Sequence, residues 1–296
     1  MSAPAISVIL PTRGRPALLP RAVASVFAQT ETDFELIVVD DNLPQDRPLT
    51  RVALAPWGTD PRMRVIEHDR PRNAAAARNV GLAVARGRWV TYLDDDDKYR
   101  PAKLAAQRAL AESSGSPVVL CGLCYRLGPR VRIRQTDAQV FSGAALVLCA
   151  LPTTQVIFHR RTDAVRFDET LDAVEDQDFF LALVANGELT VVPNVAAPLV
   201  DVYPQPTGPR ANAVSRQRWR SQRCVCLRYG RRCDRQTRRR WVARIALLRA
   251  AVDPGWPVGL ARASRRLLAV GGREELRLML NTWIQRLPGV RRLVVT

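Results

Sequence analysis

The sequence predicts an α/β fold, a mostly parallel central sheet flanked by helices, with a basic helical extension on its C-terminal side. Between Ile6 and Leu93 short apolar runs alternate with stretches whose apolar residues recur at helical spacing, the pattern of strands joined by crossover helices. Two of these runs end in adjacent acids, FELIVVDD and RWVTYLDDDD, so their carboxylates share one edge of a parallel sheet, the edge where ligands gather. The net charge of +17 is uneven: residues 1–200 carry 23 Arg and Lys against 23 Asp and Glu, whereas residues 201–296 carry 22 against 5. A neutral body, residues 1–205, is therefore expected to precede a basic, mainly helical region, residues 206–296, suited to meeting an anionic surface.

Ile6 to Leu10 is the first strand, stopped by Pro11, and PTRGRP is the loop that follows. Leu19, Val23, Val26 and Phe27 recur at helical spacing and predict a helix from Pro16 to Ala28. Phe34 to Val39 is the second strand and Met63 to Glu67 a weaker third. Asn73 to Ala85 predicts a helix whose small side, Ala77 and Gly81 with Val84, packs closely on a sheet. Arg88 to Leu93 reads as a strand buried on both faces, because its apolar run is continuous. A helix over Lys103 to Glu112, strands at Val118 to Tyr125 and Val131 to Arg134, a short helix at Gly143 to Cys149 and a strand at Gln155 to His159 come next. Ala173 to Glu188 is a further helix, with Phe179, Phe180, Leu183 and Val184 at helical spacing and Glu175, Asp176 and Asp178 crowding its first turn. Strands at Leu189 to Val192 and Pro198 to Tyr203 close the neutral region. Arg216 to Arg240 is dense in arginine, and Arg273 to Leu287 is an amphipathic helix that either packs on a core or lies on an anionic membrane surface.

Asp94 to Asp97 at a strand end are electrostatically expensive unless something cationic meets them. In extended chain Asp94 and Asp96 point one way and Asp95 the other, so an acidic pair one residue apart can share a hard divalent cation, Mg²⁺ or Mn²⁺. Such ions bridge carboxylates to phosphates, which implies a substrate carrying a diphosphate. The alternative is a solvated acidic turn ahead of the helix that begins near Pro101. Asp41 and Asp96 are expected to face one ligand from adjacent strand ends. The acids around Asp176 either favour the helix dipole or hold a general base at the helix entrance.

A hydrophobic content of 47% is ample for a core. Six cysteines in 296 residues make no disulfide scaffold, and Cys121 and Cys124 in VVLCGLCY read as buried thiols. MSAPAISVIL has no basic segment ahead of its apolar run, and no stretch reaches the ~20 apolar residues that span a bilayer. A cytoplasmic protein, at most peripheral to the inner face of the membrane, is the expectation.

Three blocks in order carry a resemblance: SVILPTRGRPALLPRAVASVFAQTETDFELIVVDDN, then AAAARNVGLAVARGRWVTYLDDDDKYRPAKL, then VEDQDFFLAL. From about Ala5 to Tyr203 the chain resembles the inverting, nucleotide-sugar-dependent glycosyltransferases of family 2. The resemblance implies a Rossmann-like GT-A fold, with nucleotide-sugar binding in residues 1–100 and the acceptor side in residues 101–205. It implies that Pro11, Thr12, Arg13 and Arg15 lie under the nucleotide, that Asp41 reads the base edge and that Arg78 approaches the base or phosphates. Asp94 would hold the ribose with Asp95 beside it, Asp96 the metal, Mn²⁺ or Mg²⁺, and Asp176 would deprotonate the acceptor hydroxyl. Gln155, Val156 and Glu175 fall on the acceptor side. The implied partners are a nucleotide-diphospho-sugar donor and a glycan or lipid-linked acceptor. Inversion requires one base opposite the leaving group and no carboxylate nucleophile. The chain departs from the family at Asn73, where many relatives have glycine, a place asparagine can take because it tolerates left-handed backbone. It also lacks a histidine after Tyr203 that would complete a metal site, and His68 and His159 read as structural. Gln217-Arg218-Trp219 is similar to the QxxRW motif of processive synthases but wrongly spaced, which favours single-sugar transfer.

Other classes fit less well. No GxxxxGK or GxGxxG is present, against a P-loop NTPase or a dinucleotide oxidoreductase. A nucleotidyltransferase would want a more glycine-rich loop than PTRGRP. Nucleic-acid binding by the arginine-rich end leaves the acidic clusters of the body unexplained.

Overall fold

The computed structural model describes residues 3–134, 140–142, 153–171, 173–186, 191–204, 216–252 and 256–269. The helices expected at Gly143 to Cys149 and Arg273 to Leu287 lie outside these residues. The chain divides into two compact units: Met1–Ser142, Pro152–Glu169 and Asp176–Pro206 form the first, Gly143–Leu151, Thr170–Glu175 and Thr207–Thr296 the second.

In chain order the first stretch runs β1 (Ile6–Thr12), α1 (Leu19–Phe27), β2 (Phe34–Asp40), α2 (Arg47–Leu54), β3 (Met63–Glu67), α3 (Ala74–Val84) and β4 (Trp89–Tyr92). It continues with β5 (Lys98–Tyr99), α4 (Lys103–Ser114), β6 (Val118–Leu127), β7 (Arg130–Arg134), β8 (Val140–Ser142), β9 (Phe158–Arg160), α5 (Glu175–Asn186) and β10 (Val191–Val202). The sheet order is β3-β2-β1-β4-β9-β6-β10-β5, with β7 on β6 and β8 on β10. As expected, β3, β2, β1 and β4 are parallel. β9 runs antiparallel between β4 and β6, and β10 lies parallel to β6. Every residue of β2 and of β4 is buried, the property that made their apolar runs continuous in sequence.

Several boundaries differ from expectation, each for a local reason. Helix α2 was not foreseen; only Thr50 and Leu54 of its eight residues are buried, and its apolar Leu49 and Val52 are exposed. The two strands expected at Leu189 to Val192 and Pro198 to Tyr203 are parts of one strand, β10, whose pairing with β6 shifts register around Pro198; proline lacks the N–H a regular ladder requires. Gln155 and Val156 sit in a 3-10 turn, Thr154–Val156, ahead of β9 rather than in a strand. Asn73 is not left-handed: at φ −151° it is the extended N-cap of α3, its side chain accepting from the Ala76 N–H at 2.9 Å.

Close packing of α3 on the sheet is confirmed by Gly81. A Cβ there would collide with Ile9 Cγ2 and lie 3.1 Å from its Cγ1, in a part of β1 with no exposed surface. Gly81→Ala should lower unfolding stability by about 1–3 kcal/mol, the usual cost of overpacking, in urea titration. The core also holds a neutral histidine. His159 is fully buried, shares a 2.9 Å hydrogen bond between Nε2 and the Tyr92 hydroxyl, and burial drops its pKa from 6.5 to about 4. A base with a depressed folded pKa leaves stability intact above its unfolded pKa. Between pH 6.5 and 4 the unfolded chain takes up a proton that the fold refuses, so stability is lost there. His159→Gln should shrink the melting-temperature fall over that window relative to wild type, a difference on the order of 3 kcal/mol.

In the second unit the described residues form α6 (Arg216–Tyr229), a 3-10 turn, Gly230–Arg232, α7 (Arg235–Val252) and α8 (Trp256–Leu268). Trp241, Leu247 and Ala251 of α7 are buried with Val225 of α6. Asp234 caps α7, accepting from the Thr237 and Gln236 N–H groups at 2.9 Å each.

Candidate active site

Register places the site. Thr12, the last residue of β1, pairs with Asp40, and the Asp41 N–H donates to the Thr12 carbonyl at 3.0 Å. β4 is shorter: Tyr92 pairs with Ile9, three residues back from Thr12. The chain beyond Tyr92 therefore climbs beside Leu10, Pro11 and Thr12 as Asp94 to Asp97, so both acidic ends reach the rim of β1. β2 and β4 are not adjacent, as had been expected; β1 separates them, and its loop joins their ends.

That loop is the hub. Thr12 Oγ1 donates to Asp95 Oδ2 at 2.9 Å and the Arg13 N–H to the same oxygen at 3.3 Å. The Arg15 guanidinium lies 2.9 Å from Asp95 Oδ1 and 2.8 Å from Asp96 Oδ2. On the other side the Arg13 guanidinium lies 3.7 Å from Asp41 Oδ2, and Gly14, at φ +68°, donates its N–H to Asn42 Oδ1 at 2.6 Å. Asp41 is buried, and its Oδ1 accepts from the Arg72 N–H at 2.9 Å and lies 2.6 Å from His68 Nδ1. Pro11 lies in β1 between Thr12 and the core, half-buried.

The acids form a turn rather than an extended run, so their carboxylates meet partners from several elements. Arg78, buried in α3, pairs with Asp94 at 2.8 Å. Gln155 donates from Nε2 to Asp94 Oδ2 at 2.6 Å and to Asp97 Oδ2 at 2.5 Å. Asp97 also accepts the Tyr203 N–H at 2.9 Å, and Arg21, stacked 3.8 Å from the Tyr203 ring centroid, donates to the Asp96 carbonyl. Val156 is buried beside Gln155. Their turn is anchored from below: Gln107 Nε2 donates to the Val156 carbonyl at 2.9 Å, and Thr91 Oγ1 to that of Ile157 at 2.8 Å. Lys103, fully buried, donates to Thr91 Oγ1 at 2.9 Å and to Gln107 Oε1 at 2.7 Å, and burial lowers its pKa to about 8.

Burial pushes Asp96 up to about 6; Arg15 opposes that shift, and the charges of Asp94 and Asp95 add to it. Asp97 is pushed well above the carboxylate range by burial first and then by Asp94 and Asp96. Burial also raises Asp95, against Arg15 and Thr12. Burial alone would lower the pKa of Arg15, but Asp95 and Asp96 outweigh it and hold the guanidinium above its ordinary value. Burial and the mutual repulsion of these acids thus both act against their charged forms.

Asp176 lies in the first turn of α5, its Oδ1 accepting the Gln177 N–H at 2.8 Å. Phe179, one turn on, stacks on Phe167 at 3.9 Å and packs edge-on against Tyr92 at 5.8 Å between centroids, two residues before Asp94. Glu175 opens α5, and Val174 before it has φ +61°, a region that a β-branched residue rarely adopts and that tends to mark functional sites. Thr12, Arg13, Arg15, Asp41, Arg78, Asp94, Asp95, Asp96 and Gln155 thus form one bonded constellation, and Asp176 is tied to it through aromatic packing. Sequence reasoning had passed over Asp97, Arg21, Asn42 and Lys103. Asp97 was visible as the last of the four acids, whereas nothing in sequence marked the other three.

A mostly parallel sheet with acidic side chains gathered at its strand ends is an arrangement in which α/β proteins bind ligands. The glycosyl transferase family 2 profile matches residues 7–180, and the chain belongs to that family. It is 32% identical over 192 residues to the succinoglycan biosynthesis protein ExoO of Rhizobium meliloti, covering 59% of this chain and 54% of that one. It is 29% identical over 194 residues to the putative colanic acid biosynthesis glycosyl transferase WcaA of Escherichia coli, covering 61% and 66%. The chain thus spans between about half and two thirds of the length of these relatives. In fold it matches S. aureus TarS 1-349, solved in complex with UDP-GlcNAc, at a TM-score of 0.67 and 17% identity, covering 92% of this chain and 83% of that one.

Gln155 tests the geometry of the acidic turn. Gln155→Leu removes two hydrogen bonds, one to buried Asp97 and one to half-buried Asp94, and should cost about 1–3 kcal/mol in chemical denaturation. Gln155→Glu should cost more, because it sets a third carboxylate against Asp94 and Asp97. Equal stability of the two variants would contradict the arrangement.

Proposed function

We propose that the chain is a metal-dependent inverting glycosyltransferase, moving one sugar from a nucleotide-diphospho-sugar to a hydroxyl of a glycan or lipid-linked acceptor in polysaccharide assembly. The observation that carries this reading is the β1 loop, which draws the ends of β2 and β4 together beside a turn of four acids. The names of ExoO and WcaA support polysaccharide assembly, and the bound UDP-GlcNAc of TarS supports a nucleotide-sugar donor.

Asp41, set beside Arg13 and His68, accepts from the base. Arg13, Arg15 and Arg78 meet the diphosphate and the ribose edge. Asp96, with Asp94 beside it, would hold Mn²⁺ or Mg²⁺. Among the described residues no three His, Cys, Asp or Glu side chains gather to hold an ion. A donor set of one or two carboxylates completed by phosphate oxygens and water suits these ions. When bound, the ion neutralises charge on the departing diphosphate. Asp176 takes the proton from the acceptor hydroxyl as its oxygen bonds to the anomeric carbon and the bond to the diphosphate breaks. Among the described residues no helix is long and apolar enough to cross a membrane.

Asp176→Asn should reduce transfer by about 10²–10⁴-fold, the range for loss of a general base, while Mn²⁺-dependent nucleotide binding survives. Asp96→Ala should instead abolish the Mn²⁺-dependent rise in melting temperature that a panel of nucleotide-sugars is screened for. Near wild-type turnover in Asp176→Asn would remove Asp176 as the base.

A further inference from the structure

We infer that the helical unit of α6, α7 and α8 docks on an anionic lipid surface through exposed arginine faces, each of which carries a large apolar residue. On α6, Arg216, Arg220, Arg223 and Leu227 are all exposed and follow one another at steps of four, three and four, so they share a face. On α7, exposed Arg235 and Val242 are each three or four residues from exposed Arg238 and Arg239, and on α8 exposed Arg262, Arg265 and Leu268 follow at steps of three. The apolar members stand well out of the core: Leu227 is 66% exposed, Val242 53% and Leu268 50%. From Arg216 to Val252 the sequence holds thirteen arginines and a single acid, Asp234, and that acid is spent capping α7.

Charge complementarity alone would suit nucleic acid equally, and the placement of the aromatic residues decides between them. A single-stranded nucleic acid uses exposed aromatic rings as stacking platforms. Here Trp241 and Tyr229 are buried inside the unit, and half-buried Trp219 lies under the Arg249 guanidinium, 5.8 Å from its ring centroid. Among the described residues, what the arginine faces expose is aliphatic. Aliphatic side chains among arginines match a bilayer interface, where the apolar members enter the acyl boundary and the cations meet anionic headgroups. This inference is independent of the sugar-transfer reading, since turnover on a soluble acceptor is measured without any membrane.

The test is co-sedimentation of the full chain with vesicles of phosphatidylcholine alone or with one-third phosphatidylglycerol, from about 0.05 M to about 0.5 M salt. Binding to the anionic vesicles alone, falling with salt, is expected. The triple variant Arg216→Gln, Arg220→Gln, Arg223→Gln should weaken it by about a hundredfold, at about fivefold per arginine. Leu227→Asn should weaken vesicle binding and leave binding to duplex DNA, measured on filters, unchanged. Equal affinity for neutral vesicles overturns the inference, as does a triple variant that sediments like wild type. DNA binding tighter than vesicle binding, with Leu227→Asn weakening neither, would assign the face to nucleic acid instead.

Discussion

Four carboxylates crowded at one strand end are the constraint around which the catalytic unit is built. Taking even one ionised carboxylate out of water costs several kcal/mol unless charge or hydrogen bonds replace the lost solvent. Asp94 to Asp97 meet that requirement unequally. Asp95 takes three donors from the β1 loop, and Asp94 takes one from α3 and one from Gln155. Asp96 is left sharing the Arg15 guanidinium with Asp95, and burial, with Asp94 and Asp95, raises its pKa against that arginine. A fold that satisfies one acid of a cluster fully and its neighbour poorly has separated a structural carboxylate from one available to a ligand.

The length of β4 makes this separation possible. Had β4 run as far as β1, its acids would have alternated across the sheet, one half facing each side. Ending at Tyr92 opposite Ile9, it releases the chain early enough to turn, and the turn aims successive carboxylates at the β1 loop, at α3 and at the Gln155 turn. The polar network beneath, Lys103 with Thr91 and Gln107, fixes the Gln155 turn to α4 with every bond made to an uncharged partner. A lysine held so deep without a carboxylate beside it is costly, and its lowered pKa records that cost.

Much of this was legible before the structure, and the legible part has a common physical basis. β1, β2 and β4 are buried on both faces and α3 packs through small residues, so composition and period alone identify them. Their shared edge follows from parallel pairing, which is why Asp41 and the acidic run were placed together. What was hidden depends on partners distant in sequence. Asn73 takes its role from being an N-cap, which needs only extended backbone and not the left-handed freedom that comparison with glycine suggested. Helix α2 buries little, since its Leu49 and Val52 face solvent, and its Arg47 and Arg51 are positioned by Glu67 of β3 instead. Gln155 was found through resemblance, yet its bond to Asp97 could not be read from a run that looked like extended chain.

A cluster of rings lies between the helix that carries Asp176 and the strand that leads into the acidic turn. Tyr92, His159, Phe167 and Phe179 pack together with centroid separations between 3.9 and 5.8 Å, and all four are buried. Tyr92 is the last residue of β4, and Phe179 lies one turn after Asp176. Aromatic packing of this kind is nearly independent of salt and pH so long as His159 stays neutral, and burial keeps it neutral down to about pH 4. Ring packing thereby joins the first turns of α5 to the end of β4, two residues ahead of Asp94.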